Sequence, residues 1–184
     1  MNLIKKFSIQ YNGKYFEGEN RSFISPAGIL KSQRVQCRID YKRKLIDLFG
    51  NYQLGGKIEL LREEPLYVIV LNINSKFESF HFYPKNKIQQ FLYRMRIVIF
   101  KRSKNSLRAK YNYNVSRDTK KLVQNIRFVE LMSKSTVYIS TRSDKINTRF
   151  TLNSTQGVDS FFELENLFEI MTVIVDEIID GVKV

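Results

Sequence analysis

The stretch VQCRIDYKRKLIDLF, residues 35–49, contains two segments with the pattern of β-strands. In the first segment the apolar side chains of Val35, Cys37 and Ile39 alternate with polar ones. This spacing is expected of a strand that buries one of its two faces. Residues 45–49 form the second predicted strand. A sheet is therefore expected in this part of the chain.

Strand patterns continue on both sides of this stretch. Residues 66–73 are rich enough in valine and isoleucine to form a central strand. Turn signals separate the segments: Asn12-Gly13 favours a hairpin, and Pro26 with Gly28 interrupts the run that contains Phe23. The other predicted strands are residues 4–11, 57–61, 111–115, 126–131, 136–140 and 147–152, with further turns at 55–56 and 141–145.

A helical period begins after Pro84. Ile88, Phe91, Leu92 and Met95 are spaced so that they lie on one face of a helix that extends to residue 99. We expect this apolar face to pack against the sheet.

The C-terminal segment predicts a second helix. Ser160 and Glu163 have the spacing of a capping box, in which the hydroxyl accepts a hydrogen bond from a free backbone N–H and the carboxylate reaches back. The apolar stripe that follows closes near Gly181 and consists of Leu164, Leu167, Phe168, Met171, Val175 and Ile178.

The order of strands followed by a helix occurs twice, which predicts an α+β fold of two similar repeats, each an antiparallel sheet followed by a helix. The first repeat would span residues 1–103 and contain a basic helix. The second would span residues 104–184 and end in an acidic helix. The duplication is one of pattern only, because the two halves share no repeated residues.

Charge is distributed unevenly along this chain of 184 residues, whose net charge is +13. Residues 85–121 contain twelve lysines and arginines but only one acid, Asp118. Residues 158–184 contain seven acids and one cation, Lys183. Such clustering indicates a positive binding face and a preference for polyanions, whereas an even spread would indicate solubility alone.

The residue types that catalysis needs are scarce. His81, the single histidine, lies between Phe80 and Phe82 and is expected to be a structural or surface residue rather than a general base. Cys37, the single cysteine, has the position of a buried thiol and has no partner for an internal disulfide. The acids at residues 59, 63 and 64 suit a charged turn better than a metal site, and no phosphate-loop motif occurs. We therefore predict a protein that is not an enzyme and that has no cofactor or metal.

The most basic stretch is FKRSKNSLRAKYNYN, residues 100–114, which continues the predicted basic helix into a loop. Cations spaced along a rigid surface suit a phosphate backbone. The two tyrosines of this stretch either stack on unpaired bases or belong to the core. The predicted nucleic-acid-binding residues are Lys85, Lys87, Arg94, Arg96, Lys101, Arg102, Lys104, Arg108, Lys110, Tyr111, Tyr113, Arg117, Lys120 and Lys121.

Two other partners compete with nucleic acid. Binding to an anionic membrane surface would need a free apolar helix face opposite the cations. The apolar face of residues 88–99 is expected to pack against the sheet instead. An acidic protein could also meet the basic face, as in a viral or other interaction or inhibitor protein. No apolar run approaches the roughly 18 residues of a membrane span, so we predict no membrane insertion.

Residues 23–30 read FISPAGIL, which resembles a strand-turn element near the start of the bacterial-type ribosomal protein six of the large subunit. Pro26, Gly28 and Leu30 match the family's pattern, and Ser25 stands where the family usually has glycine. The resemblance implies a basic, rRNA-binding structural protein with two similar α+β repeats and other ribosomal proteins as neighbours.

The abundance of Phe, Ile, Lys, Asn and Tyr, with only two alanines, indicates A/T-rich codons. Together with the resemblance it predicts a ribosomal protein of an organelle, most simply a mitochondrion; a phage or a parasite would also fit the codons. The arrangement of strands and helix is also similar to that of whirly and PUR-type proteins, which implies a single-stranded nucleic-acid binder as the alternative function.

Overall fold

The structure is a computed structural model that describes residues 2–25, 28–55, 67–100, 106–114, 116–154 and 160–181. Eight strands of this described chain form one antiparallel sheet in the order β1-β2-β3-β4-β8-β7-β5-β6. The elements are α1 (Leu3–Gln10), β1 (Lys14–Ser25), β2 (Gly28–Tyr41), β3 (Lys44–Gly55), β4 (Tyr67–Ile73), β5 (His81–Pro84), α2 (Lys87–Phe100), α3 (Ser106–Lys110), β6 (Tyr111–Tyr113), α4 (Arg117–Gln124), α5 (Ile126–Lys134), β7 (Val137–Ser143), β8 (Thr148–Ser154), α6 (Phe161–Ile174) and a π-helical turn (Val175–Asp180).

The β2–β3 hairpin confirms both strands predicted in residues 35–49. Val35, Cys37 and Ile39 are buried, as their alternation predicts. Lys42 and Arg43 form the turn with φ angles of 50° and 63°. Two consecutive residues with positive φ define the turn type whose twist matches a tight hairpin, although asparagine and glycine are the usual residues there.

The predicted α+β class is confirmed, whereas the arrangement as two repeats is not. Strand β4 is central, as predicted, and pairs with β3 on one side and with β8 on the other, so both halves of the chain share one sheet. Three helices, α3 to α5, precede β7 in the second half, and the last of them, α5, occupies residues that were predicted as a strand. The boundary between residues 103 and 104 stays a prediction, because it lies outside the described residues.

Residues 4–11 were predicted as a strand and are mostly helix α1. Ile4 and Phe7 are buried and Tyr11 stacks on Phe7 with ring centroids 4.3 Å apart. These positions follow the helical period, and Asn2 caps the helix by accepting a hydrogen bond from the Lys5 N–H at 2.7 Å. The turn at Asn12 therefore joins a helix to β1 rather than closing a hairpin.

Residues 126–131 were also predicted as a strand and belong to helix α5. Asn125 caps this helix, because its Oδ1 accepts a hydrogen bond from the Phe128 N–H at 2.8 Å. Phe128, Leu131 and Met132 then form the buried stripe at helical spacing. In so short a segment the spacing of the apolar residues fits both the period of a helix and that of a strand. The cap at Asn125 favours the helix.

Helix α6 confirms the C-terminal prediction. Ser160 Oγ accepts a hydrogen bond from the Glu163 N–H at 3.2 Å. The helix is buried on nearly every side, and the chain continues without a break into the π-helical turn. This segment is the main cover of the sheet, together with α1 and α5.

The sheet has one covered face and one open face. Residues directly opposite each other in the ladder point to the same side. On the covered side Ile4 of α1 lies against Gly50, and Phe128 of α5 lies 5.4 Å from Phe82, between ring centroids. A fully buried row crosses six strands on this side and consists of Cys37, Leu48, Ile69, Leu152, Ile139 and Phe82.

We call the opposite side of the sheet the open face. Among the described residues no helix packs across it; α2 meets its β6 edge, where Asn112 Nδ2 lies 3.5 Å from Gln89 Oε1. Helix α2 is confirmed, but the expectation that its apolar face packs on the sheet is wrong. Ile88, Phe91 and Leu92 are exposed, because α2 runs past the last strand and contacts α3.

Several predicted features fall outside the described residues. They are the strand at 57–61, the residues Pro26 and Gly56 of two predicted turns, and the acids at 59, 63 and 64.

Candidate nucleic-acid interface

Lys85 and Arg108, two of the predicted binding residues, lie together at the β5–β6 edge. The Lys85 ammonium is 4.3 Å from the ring centroid of Tyr93 and donates a hydrogen bond to the Arg108 carbonyl. The Arg108 guanidinium is 5.5 Å from the ring centroid of Tyr113, and its Nε donates to the tyrosine hydroxyl at 3.2 Å. Burial and then the nearby Arg108 charge lower the pKa of Lys85. The structure thus joins Lys85, Arg108 and Tyr113 in one cluster.

Lys110 was predicted to contact phosphate, but its ammonium is engaged inside the protein. It donates hydrogen bonds to the carbonyls of Met132, Ser133 and Ser135 at 3.3, 2.9 and 2.6 Å, where α5 ends. A lysine at the C-terminus of a helix satisfies carbonyls that have no partner within the helix. Burial lowers the pKa of Lys110.

Tyr111 belongs to the core, which was one of its two predicted positions. Its side chain is 1% exposed, and its hydroxyl donates a hydrogen bond to the Ser135 carbonyl. Burial raises the pKa of Tyr111 to about 12. A ring in this position cannot stack on a base, so Tyr111 has a structural role.

Arg117, Lys120 and Lys121 lie on α4, which packs against α5 and the π-helical turn. The buried side of α4 carries Ser116, Thr119 and Leu122. The three cations lie on the other side of α4, where Arg117 and Lys120 are exposed and Lys121 is half-buried. They form a basic stripe on the helical layer rather than on the open face.

The other predicted cations are described only in part. Lys87 is exposed at the start of α2. Arg94 and Arg96 belong to the same helix, but their side chains are outside the description. Lys101, Arg102 and Lys104 lie outside the described residues altogether.

The open face carries a group of rings that we call the aromatic row: His81, Tyr83 and Tyr138. The His81 and Tyr83 rings stack with centroids 4.7 Å apart, and Tyr83 lies 5.8 Å from Tyr138 on the next strand. Both tyrosines are 42% exposed. The His81 backbone N–H donates to Asn114 Oδ1 at 2.9 Å, which fixes the start of β5.

The open face also carries two arginines, Arg142 and Arg149, which we call the arginine pair. They are directly opposite each other in the β7–β8 ladder. Both are exposed, and neither guanidinium has a hydrogen bond or an ion pair within the described chain. Ser140, which pairs with His81, lies two residues from Arg142, or roughly 7 Å along the strand. The arginine pair is therefore next to the aromatic row.

Polar side chains occupy the positions between and beside the arginines and the rings. Ser140 and Thr151 are half-buried and pair across β7 and β8. Asn153 pairs with Tyr138, Asn72 with Arg149, and Asn112 with Tyr83. The half of the open face formed by β5, β6, β7 and β8 offers hydrogen-bond donors and acceptors but no described carboxylate.

The half of the open face formed by β2 and β3 has a different character. Arg38 forms an ion pair with Asp47, with Nε 2.7 Å from Oδ1, and Gln36 donates to the same carboxylate at 2.9 Å. The Arg34 guanidinium lies 4.5 Å from the ring centroid of Phe49. Arg34 and Arg38 thus have partners, whereas Arg142 and Arg149 on β7 and β8 have none within the described chain.

Neither candidate nucleophile nor base occupies a catalytic arrangement. Cys37 is buried, and burial with the neighbouring Asp47 charge raises the pKa of its thiol to about 12. The His81 ring stacks on Tyr83. Within the described part of the chain no group of three or more His, Cys, Asp and Glu residues is arranged to hold a metal. None of the described helices combines the length and the apolar character needed to cross a membrane.

The aromatic row and the arginine pair were not among the predicted residues. Their signal in the sequence is the alternation of Tyr138, Ser140 and Arg142, which places them on one side of β7. The β7–β8 hairpin follows from the predicted turn at residues 141–145, whereas the pairing of β7 with β5, which brings His81 and Tyr83 to this surface, is not visible in the sequence.

The fold and site define an α+β protein with an open-faced antiparallel sheet that is basic and aromatic at one end. Comparisons with protein-family models, with curated proteins and with solved structures find no match to this chain.

Proposed function

We propose that this protein binds single-stranded RNA along the open face of its sheet, as a structural protein rather than an enzyme. The observation that carries the proposal is the arginine pair beside the aromatic row, on a face that no described helix covers. Cations that neutralise phosphates and rings that stack on unpaired bases are the two components of surfaces that bind single strands.

The arginine pair is the proposed phosphate contact. Like charges directly opposite each other in a ladder destabilise a sheet, by roughly 0.2–1 kcal/mol. A phosphate group bound between Arg142 and Arg149 would remove this repulsion and release counterions from the RNA. The repulsion between the two arginines therefore destabilises the free protein, and bound RNA would remove this destabilisation.

The aromatic row is the proposed base contact. Tyr83 and Tyr138 present part of their rings to solvent, and His81 supports Tyr83 by stacking. Stacking on an aromatic side chain is worth roughly 1–3 kcal/mol per base and accepts any sequence. A duplex keeps its bases stacked on each other, so we expect it to bind more weakly.

The polar residues beside the rings and the arginines favour the binding of RNA over the binding of DNA. Asn72, Asn153 and Thr151 offer both donors and acceptors on this face. The ribose 2′-hydroxyl is a donor and an acceptor that only RNA supplies.

The cluster of Lys85 and Arg108 extends the proposed surface beyond the sheet edge. Asn112 pairs with Tyr83 and lies at the edge strand that leads to this cluster. A strand of RNA leaving the aromatic row would meet these cations next. This placement keeps part of the predicted basic segment in the interface, while Lys110 and Tyr111 support the fold.

The test is fluorescence anisotropy with a labelled single-stranded RNA of about 12 nucleotides. The variant Arg142→Glu with Arg149→Glu should bind at least about tenfold more weakly, and the affinity of the native protein should fall steeply as salt rises. Tyr83→Ala with Tyr138→Ala should also weaken binding about tenfold or more.

The matched control is Lys120→Glu with Lys121→Glu, the same change of charge on the α4 stripe. Its affinity should stay within about twofold of the native value once general electrostatic attraction is screened by salt. A larger loss in the control than in the arginine variant would place the site on the helical layer. Tighter binding of duplex RNA, or equal binding of single-stranded DNA, would contradict the proposal as stated.

The ribosomal and mitochondrial parts of the function stay predictions. They rest on the FISPAGIL resemblance and on the A/T-rich codons. Sedimentation of a cell or organelle lysate tests them: the protein should travel with ribosomal particles in high salt. Recovery in the unassembled fraction alone would speak for a free single-strand binder.

A further inference from the structure

Helix α2 exposes four large apolar side chains that follow the helical period. Ile88, Phe91, Leu92 and Met95 are 70%, 61%, 56% and 43% exposed. We call them the apolar helix face. Contiguous exposed apolar residues of this kind mark an interaction site, because a monomer normally buries such a stripe.

The start of α2 is held firmly, so the apolar helix face is a defined surface. Asn86 Oδ1 accepts from the Gln89 N–H at 2.8 Å, and Gln89 Oε1 accepts from the Asn86 N–H at 3.2 Å. This reciprocal pair satisfies N–H groups that the first turn leaves free. Lys85 adds its contact with the Tyr93 ring on the adjacent side.

The apolar helix face borders a groove of about 600 Å³ between α2 and β6. Phe91, Leu92 and Met95 form its apolar wall, and polar groups of Lys85, Gln89 and Asn112 lie beside them. A concave apolar surface with a few polar groups suits an inserted side chain better than it suits a flat bilayer.

The chain segment that forms this surface carries charge of one sign. From residue 85 to residue 117 the sequence contains no aspartate or glutamate, and α2 itself contains Lys87, Arg94 and Arg96. An amphipathic helix with acidic flanks would bury its apolar stripe here and pair its carboxylates with these cations.

We propose that the apolar helix face and its groove bind an acidic amphipathic helix of another protein. The partner would place apolar residues at i, i+3, i+4 and i+7 against α2. This site shares Lys85 and Asn112 with the edge of the proposed RNA surface but contains neither Arg142 nor Arg149, so the proposal does not depend on RNA binding at the arginine pair.

A second copy of this chain is a poor occupant, because its acidic helix is already used. Glu165 accepts hydrogen bonds from Gln10 and Tyr11, and Glu169 forms an ion pair with Arg127 at 3.3 Å. Asp176 binds Lys42 at 2.8 Å. Contact between two α2 helices would set like charges against each other.

The test uses the full chain and a designed helical peptide of about 16 residues, with leucine at the four anchor positions and glutamate at most others. The native protein should bind it and should not bind a peptide in which lysine replaces every glutamate. The variant Phe91→Ser with Leu92→Ser should bind the acidic peptide at least about tenfold more weakly.

The control variant is Ile126→Ser with Phe162→Ser, which removes two equally exposed apolar side chains from α5 and α6. Its affinity for the acidic peptide should be unchanged, and both variants should keep the native affinity for single-stranded RNA.

Three results would overturn the proposal. The first is equal binding of the lysine peptide. The second is binding of phosphatidylserine vesicles in place of the peptide. The third is a dimer that forms with rising protein concentration and is abolished by the Phe91 and Leu92 changes.

Discussion

Tyr111 and Tyr113 show how the environment of a residue, rather than its type, decides its role. The two stand two positions apart and point to the same side of β6. Tyr111 lies over the end of α5, where its hydroxyl meets the Ser135 carbonyl, whereas Tyr113 is half-buried under Arg108. The neighbouring Lys110 is drawn to the same helix end. One basic stretch therefore contains both structural and surface residues.

At this scale we predict the effect of Tyr111→Phe. The change removes the hydrogen bond to Ser135 and should lower the free energy of unfolding by about 1–2 kcal/mol at neutral pH. Chemical denaturation measures this loss, and anisotropy should show unchanged RNA affinity. A loss of RNA binding with full stability would instead support base stacking by Tyr111.

The same variant has a signature at high pH. Burial raises the pKa of Tyr111 from 10.0 to about 12, so the unfolded chain releases this proton first. The native protein therefore loses stability from this group as the pH rises from 10.0 to about 12. Tyr111→Phe lacks this contribution, and its stability should fall less steeply over that range.

At the scale of elements, α1 packs on the sheet through a position that has no side chain. Gly50 lies on the covered face of β3, and a Cβ placed there would be 2.6 Å from Ile4 Cδ1 and 3.2 Å from Tyr67 Cε1. Ile4 is fully buried. The glycine thus makes room for the helix, and it lies inside β3, which continues to Gly55 rather than ending at the predicted residue 49.

We therefore predict that Gly50→Ala destabilises the protein by about 1–3 kcal/mol, because the added methyl group overpacks the contact with Ile4. Ile4→Val alone should cost about 0.5–1.5 kcal/mol. The double variant should lose less than the sum of the two, since valine lacks the Cδ1 atom. Denaturant unfolding of all four proteins measures this coupling, and strictly additive losses would contradict it.

Helix and strand were confused where an apolar segment was short. The apolar residues of 4–11 and 126–131 fit both the helical period of about 3.6 residues and the alternation of a strand. The caps at Asn2 and Asn125 decided for helix in both cases. Segments with a long or strict period, such as residues 35–40 and 66–73, were predicted correctly.

At the scale of the whole molecule, the two faces of the sheet differ in what they bury and in the charge they carry. The covered face is closed by α1, α5 and α6, and Glu169 of α6 with Asp176 and Glu177 of the π-helical turn is paired with residues of other elements. The predicted acidic helix is thus a structural core element. Among the described residues, exposed positive charge without an ion-pair partner remains on the open face and on α4, which suits a protein that binds a polyanion.

We predict that Arg149→Thr raises the free energy of unfolding of the free protein by about 0.5 kcal/mol, because it removes the repulsion from Arg142. The gain should shrink as salt rises, and RNA affinity should fall. Arg142→Thr should give a similar gain, and the double variant no more than either single one. Destabilisation by both single variants would show that the arginines support the fold.

The sequence by itself determined the α+β class, the strands around residues 35–49 and 66–73, and the helices at 87–100 and 161–174. These features follow from local periods and caps, which neighbouring residues encode. Only the tertiary structure decided that both halves share one sheet, that α2 leaves its apolar face uncovered, and that Arg142 and Arg149 meet Tyr83 and Tyr138 on one surface. The physical reason is that strand pairing joins residues far apart in the chain, and the period of a helix does not record whether its apolar face will find a partner in the same chain.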